Sequence, residues 1–314
     1  MLLAMNQDFC LSLGQIQAFR RDGFVKLERV LTTEFVEHLQ VKLDASMLSL
    51  DAEQTLFKRM GYDILEADPV VISLLRDRCF RKVLNALTER TLFFTQGIGF
   101  EIEKNKHLGF PWHICAQSFG FLRASDYGCS LWAPLDPIRV CGQGGGMQYV
   151  SESVISGQFM FDYVDPAIDR TLADIADAEA AANSEPSLTL DEFSELRHGI
   201  LNSPAMMRLL EATCHRDDFE PGDALLFNKR VIHASEMLAE GPIARRRAFV
   251  MRFVDADARY DKRRAHALEF PRKYFGRPPQ STFHLDVCTE DGQLIADSQY
   301  FRNPEDRKLR STHE

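Results

Sequence analysis

The N-terminal part of the chain carries helical spacing. Ser12 followed by Gln15 forms a capping box, so a short helix is expected to run to about Arg20. Gly23 ends it ahead of a short strand, Phe24-Val25-Lys26-Leu27. Thr32 or Thr33 can cap a second helix, in which Phe35, Val36, Leu39, Leu43 and Met47 recur at helical intervals. Residues 64–90 read as helical again, with Leu74, Leu75, Val83, Leu84 and Leu87 on the buried side. From about Thr91 the period changes. Short apolar or alternating runs at 91–95, 98–103, 117–122, 129–135, 147–150, 224–227 and 247–254 are separated by Gly, Pro, Asp and Asn, the texture of many short strands in a sandwich or barrel. A stretch from about 160 to 215 interrupts them and reads as a helical insertion, because a loop that long without its own structure is rare inside a domain. The charged tail after about Asp255, with Pro271, Pro278 and Pro279, is expected to wrap the barrel to the end of the chain at Glu314.

Composition fits that picture. At 314 residues, 45% hydrophobic and 26% charged, the chain is long enough to bury a full core in one domain spanning 1–314. Its net charge of −9 argues against a nucleic-acid partner. Residues 161–200 hold ten acids and two bases, a solvated helical face that could also serve as an oligomer contact in a homodimer. The seven cysteines are scattered, odd in number and without a CxxC pair, which argues against a disulfide framework or a structural zinc site. There is no basic start followed by a long apolar core, and no apolar run of membrane-spanning length, so a cytoplasmic protein is expected.

Two histidines stand out by context. His113 lies in Phe110-Pro111-Trp112-His113-Ile114-Cys115. His233 follows Pro221-Gly222-Asp223, which reads as a turn, and Ala224-Leu225-Leu226-Phe227, which reads as a buried strand. After it come Arg245, Arg246 and Arg247, opening another strand that contains Arg252. Neutral imidazoles suit Fe(II), and a two-histidine face leaves coordination positions for a co-substrate and O2. An arginine beside the histidine-bearing strand can hold the far end of a dicarboxylate through paired guanidinium–carboxylate hydrogen bonds. A lone histidine in a strand and a run of arginines at its edge are also ordinary structural features. The glycine run 142–146 is not followed by Lys-Ser/Thr and a helix, so no phosphate loop is expected, and no Gly-x-Ser-x-Gly nucleophile elbow is present.

These segments, in this order and spacing, resemble the phytanoyl-CoA dioxygenase superfamily of Fe(II)/2-oxoglutarate enzymes over about residues 11–260. The resemblance implies a mainly β fold, a double-stranded β-helix (jelly-roll, cupin-like) barrel with N-terminal helices and a helical insertion. It implies that His113 and His233 bind Fe(II), that Arg246 holds 2-oxoglutarate, and that Ser130 and Trp132, in Cys129-Ser130-Leu131-Trp132, line the co-substrate pocket. Gly144-Gly145-Gly146-Met147-Gln148-Tyr149-Val150 resembles the family's turn before the distal histidine strand.

The chain departs from the pattern at one position. The metal-binding carboxylate of the family stands two residues after the first histidine, and here that residue is Cys115. The syringomycin-type halogenases also lack the carboxylate, with chloride bound in its place, and this chain resembles them in length and in having Arg252 six residues beyond Arg246. Three readings of Cys115 stay open: a ligand or near-ligand in an oxygenase, a neighbour of a halide site, or a mark of a degenerate site in a metal-free binding protein or non-oxidative isomerase or cyclase. The thiol is nearly as large as a carboxylate and crowds a halide, which favours the first. Asp126, Glu101 and Glu103 are conceivable substitute carboxylates. The activity expected is oxidation of an unactivated C–H bond of a small organic substrate, free or carrier-linked, with Fe(II), 2-oxoglutarate and O2, and with Cys115 and Arg252 at the reacting centre.

Overall fold

The structure, a computed structural model, describes residues 2–49, 56–115, 117–182, 187–275 and 281–302. Pro278, Pro279 and the last part of the expected C-terminal wrap lie outside them. The opening helix α1 (Leu13–Asp22) begins at the expected capping box, where Ser12 and Gln15 cap each other, and ends at Gly23 with φ +79°. Strand β1 (Phe24–Leu27) follows, then α2 (Thr33–Ser46), capped by the Thr32 hydroxyl. Strands β2 (Leu48–Ser49) and β3 (Arg59–Tyr62) were not foreseen. The helical stretch at 64–90 is two helices, α3 (Pro69–Arg76) and α4 (Arg78–Thr88), each capped by an aspartate, Asp68 and Asp77.

The runs 91–95 and 98–103 are one strand, β4 (Leu92–Glu103), with a bulge between Phe94 and Gln96. Strands β5 (Gly128–Pro134), β6 (Met147–Tyr149), β7 (Ala224–Asn228), β8 (His233–Ser235) and β9 (Arg245–Asp255) complete the set. Seven strands form an antiparallel sheet in the order β1-β7-β5-β9-β4-β3-β2, and β6 pairs with β8 apart from it. The second layer is thus one short pair plus isolated bridges, His113 with His233 and Tyr149 with His215 among them. The run 117–122 is not a strand. Gln117–Phe119 form a 3-10 turn, and Phe119 and Phe121 are fully buried plugs. Among the described residues helix exceeds strand, so the expected mainly β balance does not hold; N-terminal helices and insertion account for the excess.

The large sheet separates two cores by the parity of its side chains. Cys129, Leu131, Ala133, Leu226, Phe249, Met251 and Phe253 face one way and pack on α1–α4. Ile98, Phe100, Ile102, Trp132, Leu225, Phe227, Ala248 and Val250 face the other way, toward the interior that β6, β8 and the 113–121 segment cover. Truncating a fully buried phenylalanine such as Phe249 costs about 3–5 kcal/mol.

The insertion runs through a π-helical turn (Met160–Val164) into α5 (Asp165–Ala182), then α6 (Leu190–Asn202) and α7 (Pro204–Thr213). It has its own small core around Leu172 and Phe193 and a buried ion pair between Arg197 and Asp169 at 2.7 Å. A further helix, α8 (Lys262–Ala267), packs against α5. No helix of the described residues is long and apolar enough to cross a membrane.

Candidate metal and co-substrate site

The two histidines are brought together by the backbone. His113 N–H donates to the His233 carbonyl at 2.9 Å, and His233 N–H donates to the His113 carbonyl at 3.0 Å. A reciprocal antiparallel pair of this kind puts both side chains on one face, and the ring centroids are 4.2 Å apart. β8 carries His233, held in register by β6 through Tyr149. Each ring donates Nδ1–H to a carbonyl two residues upstream in its own chain segment, His113 to Pro111 and His233 to Val231, both at 2.8 Å. That fixes the tautomer and leaves both Nε2 atoms as lone-pair donors. Burial holds His113 well below the usual histidine range, and the neighbouring His233 ring adds to the effect. Burial likewise pushes His233 down to about 4, against the Val231 carbonyl. Both imidazoles are neutral at physiological pH, the form that binds a metal. His233 is buried and His113 half-buried.

Cys115 lies on the same face as His113, two residues on. Its Sγ is 3.7 Å from His233 Nε2, and it accepts a hydrogen bond from Arg252 Nη1 at 2.8 Å. The same guanidinium nitrogen donates to Ser130 Oγ at 2.8 Å. Ser130 and Arg252 are register partners across β5 and β9. Among the described residues no three His, Cys, Asp or Glu side chains group as a metal site. The protein therefore offers two imidazoles, with the thiol turned to Arg252. None of the conceivable substitute carboxylates reaches them. Glu101 and Glu103 have the wrong parity on β4 and bond outward, to Arg59 and to Lys58. Asp126 accepts from the Arg259 backbone at 2.6 Å.

Arg246 lies further along β9 on the interior face. It is 2% exposed. Its Nε donates to the Gly145 carbonyl at 2.7 Å, and its guanidinium carbon sits 5.8 Å from the Trp132 ring. Burial lowers its pKa to about 10, opposed by Asp136. Gly145 has φ +82°, and a Cβ there would come 2.8 Å from Leu238 Cδ1, so the glycine run serves to aim this carbonyl. The expected set His113, His233, Cys115, Ser130 and Arg252 thus converges, and Trp132 with Arg246 continues the same interior face.

One neighbour escaped the sequence reading. Asn202, near the end of α6, donates to the Trp112 carbonyl at 2.9 Å, docking the insertion on the His113 segment. His198 lies four residues earlier on that helix face, close enough for its charge to act on His113. The i, i+4 pairing of His198 and Asn202 was the available signal.

No protein-family model and no curated protein matches this sequence. Solved structures do. One is SnoN, an epimerase of nogalamycin biosynthesis, in complex with Fe3+, α-ketoglutarate and nogalamycin RO, at 15% identity and TM-score 0.56 over 90% of this chain and 94% of that one. The fold is that of the non-haem α-ketoglutarate-dependent enzymes. EctD from S. alaskensis with bound Fe is similar at 17% identity and TM-score 0.53 (82% and 81% covered). EvdO2 from Micromonospora carbonacea var. aurantiaca complexed with 2-oxoglutarate is similar at 18% identity and TM-score 0.50 (82% and 94%).

Proposed function

We propose that this chain is a non-haem Fe(II)/2-oxoglutarate-dependent oxygenase that hydroxylates an unactivated C–H bond of a small organic molecule. The observation that carries this reading is the facing pair of neutral imidazoles, His113 and His233, each locked in the tautomer that leaves Nε2 for a metal. The Fe3+ and α-ketoglutarate bound by SnoN, the 2-oxoglutarate bound by EvdO2 and the Fe bound by EctD support it, as does the fold they share with this chain. On this reading the large sheet and the β6–β8 layer are the two sides of a double-stranded β-helix in one domain.

His113 and His233 would hold iron(II), and Arg246 would hold the far carboxylate of 2-oxoglutarate through its free nitrogens while Nε stays on Gly145. Iron with 2-oxoglutarate and O2 supplies the oxidant that removes hydrogen from carbon. The overall conversion takes R–H, 2-oxoglutarate and O2 to R–OH, succinate and CO2. The chain's own contribution is placement: Trp132 shields the Arg246–carboxylate contact, and the apolar interior keeps water from the reacting centre.

A second reading keeps the same cofactors but puts chloride where the family carboxylate would be, giving a chlorinated product. It is favoured by the absence, among the described residues, of an acidic side chain grouped with the imidazoles and by the cation at Arg252. Anaerobic reconstitution with Fe(II) followed by succinate detection, with and without chloride, tests both. The wild type should hold stoichiometric iron, and His113→Ala or His233→Ala should lose it. A wild type that retains no iron sinks the oxygenase reading and leaves the metal-free alternatives.

A further inference from the structure

Arg252 is a buried cation with no acidic partner among the described residues. It is 8% exposed. Nη1 is shared between the Cys115 thiol and the Ser130 hydroxyl, and Nε is buried without a partner. The acidic side chains that pair with arginines of β9 face the other side of the sheet. Among the described residues the side chains that touch it are neutral. Gln96, its register partner, turns its amide to Asp63 at 2.8 Å, and the Phe119 ring lies 5.6 Å from the guanidinium carbon. A desolvated, unpaired charge costs several kcal/mol unless a ligand completes it.

The charge balance of the loaded site points the same way. Iron(II) and two guanidiniums outweigh dianionic 2-oxoglutarate, and the side chain beside His233 Nε2 is a cysteine rather than a carboxylate. Arg246 is accounted for by the co-substrate. Arg252 is one thiol away from His233 Nε2, closer to the metal position than a structural cation has reason to be.

We propose that Arg252 anchors the carboxylate of the substrate, and that the substrate is a small monocarboxylic acid with an apolar body, bound as the free acid rather than as a carrier thioester. The inference rests on His113 and His233 being the iron site. A thioester has no anion to offer this guanidinium. The free Nη2 and Nε edge of Arg252 matches a carboxylate bidentately, and the Phe119 ring, 5.6 Å from the guanidinium carbon, supplies apolar contact beside it. A carboxylate held there brings its adjacent carbons beside the imidazoles, so oxidation falls close to the acid group.

The test is calorimetric titration, without O2, of the Fe(II)- and 2-oxoglutarate-loaded protein with short carboxylates from butanoate to octanoate and with the corresponding primary amides. The acids should bind and the amides should bind at least about 30-fold more weakly, the loss of about 2 kcal/mol of charge-assisted pairing. Arg252→Met should remove the preference while 2-oxoglutarate still binds; Arg252→Lys should keep it in weaker form. Amides binding as well as acids, acids failing to bind the loaded wild type, or an undiminished preference in Arg252→Met each overturns the proposal. If Arg252→Met does not fold, the acid–amide comparison on the wild type decides. Failure of the wild type to load iron at all is a different result and strikes the oxygenase reading instead.

Discussion

Strand β9 presents arginines to two environments, and the contrast between them separates structure from function. On the helix side, Arg245 and Arg247 bond to Asp44 at 3.0 and 3.1 Å, Arg247 bonds to Asp136 at 2.8 Å, and Arg59 from β3 joins through Asp44 and Glu101. On the interior side, Arg246 and Arg252 are buried like Arg247, and among the described residues their hydrogen bonds go to a carbonyl, a thiol and a hydroxyl. One residue's difference in position inverts the environment, because successive side chains of a strand point to opposite faces. Among the described residues the outer guanidiniums touch carboxylates and the inner ones do not, which is the arrangement the proposed function needs if the inner pair meets anionic ligands. Sites of this kind break the local rules of stability and are supported by the rest of the molecule.

The largest test exchanges the two environments. Arg246→Leu should raise the 2-oxoglutarate dissociation constant roughly 30-fold or more, since a desolvated charge pair is worth about 2–5 kcal/mol, while leaving the apo protein as stable as before. Arg247→Leu should do the reverse. It leaves the half-buried Asp136 with the backbone N–H of residue 247 but no guanidinium, and costs about 3 kcal/mol of folding stability, with co-substrate affinity changed less than about threefold. Titration under anaerobic conditions and urea unfolding read the two quantities. If Arg247 proved to be the co-substrate residue, the parity assignment of the whole strand would be wrong.

How legible this was from sequence varies along the chain. The capping box at Ser12, the strand at Phe24–Leu27 and the Pro221-Gly222-Asp223 turn into β7 were all readable, because each is fixed by a local rule. The convergence of His113 and His233 was not derivable from either segment; it depends on a backbone pairing between residues more than a hundred positions apart. Choosing Arg246 from three consecutive arginines rested on resemblance, and parity now explains why the central one faces inward. The run 117–122 misled because buried plugs and buried strands share an apolar composition. Phe119 lies beneath Arg252 and Phe121 packs on Phe283 instead of joining the sheet. Glu101, a conceivable substitute ligand in the sequence, is completely buried because Arg59, Arg245 and Lys58 converge on it in the fold.

The contrast extends to the histidines, which the interior keeps uncharged. The folded state holds His233 near 4 and His113 well below its usual value, whereas the unfolded chain takes up protons near 6.5. Between those values the unfolded state binds more protons, so apo stability falls as pH drops from about 6.5 to 4 and gains nothing from these groups above 6.5. His233 alone should contribute roughly 3 kcal/mol across that window. His233→Gln should flatten the difference between unfolding free energies at pH 7 and pH 4.5 relative to wild type. An unchanged slope would mean that the rings titrate normally and that the site is wetter than the packing indicates.

The smallest expected effect sharpens the comparison at its centre. Cys115→Asp would place a carboxylate where the thiol now meets Arg252, giving the inner guanidinium the kind of partner that Arg247 has in Asp136. The pair gains a charge-assisted hydrogen bond but also buries a second ion, and the two contributions largely offset each other. The apo protein should therefore gain only about 1 kcal/mol, far less than the loss expected for Arg247→Leu. The functional consequence should be larger than the energetic one. A carboxylate at 115 either binds iron beside the two imidazoles or stays on Arg252, and affinity for an added monocarboxylate should fall in both cases, because the cation is either paired or drawn to a metal-bound anion. Thermal unfolding of the apo variant and carboxylate titration of the loaded one separate these outcomes. A variant destabilised by several kcal/mol would show that Arg252 does not reach the 115 side chain and that the interior arginines are as structurally committed as the outer ones.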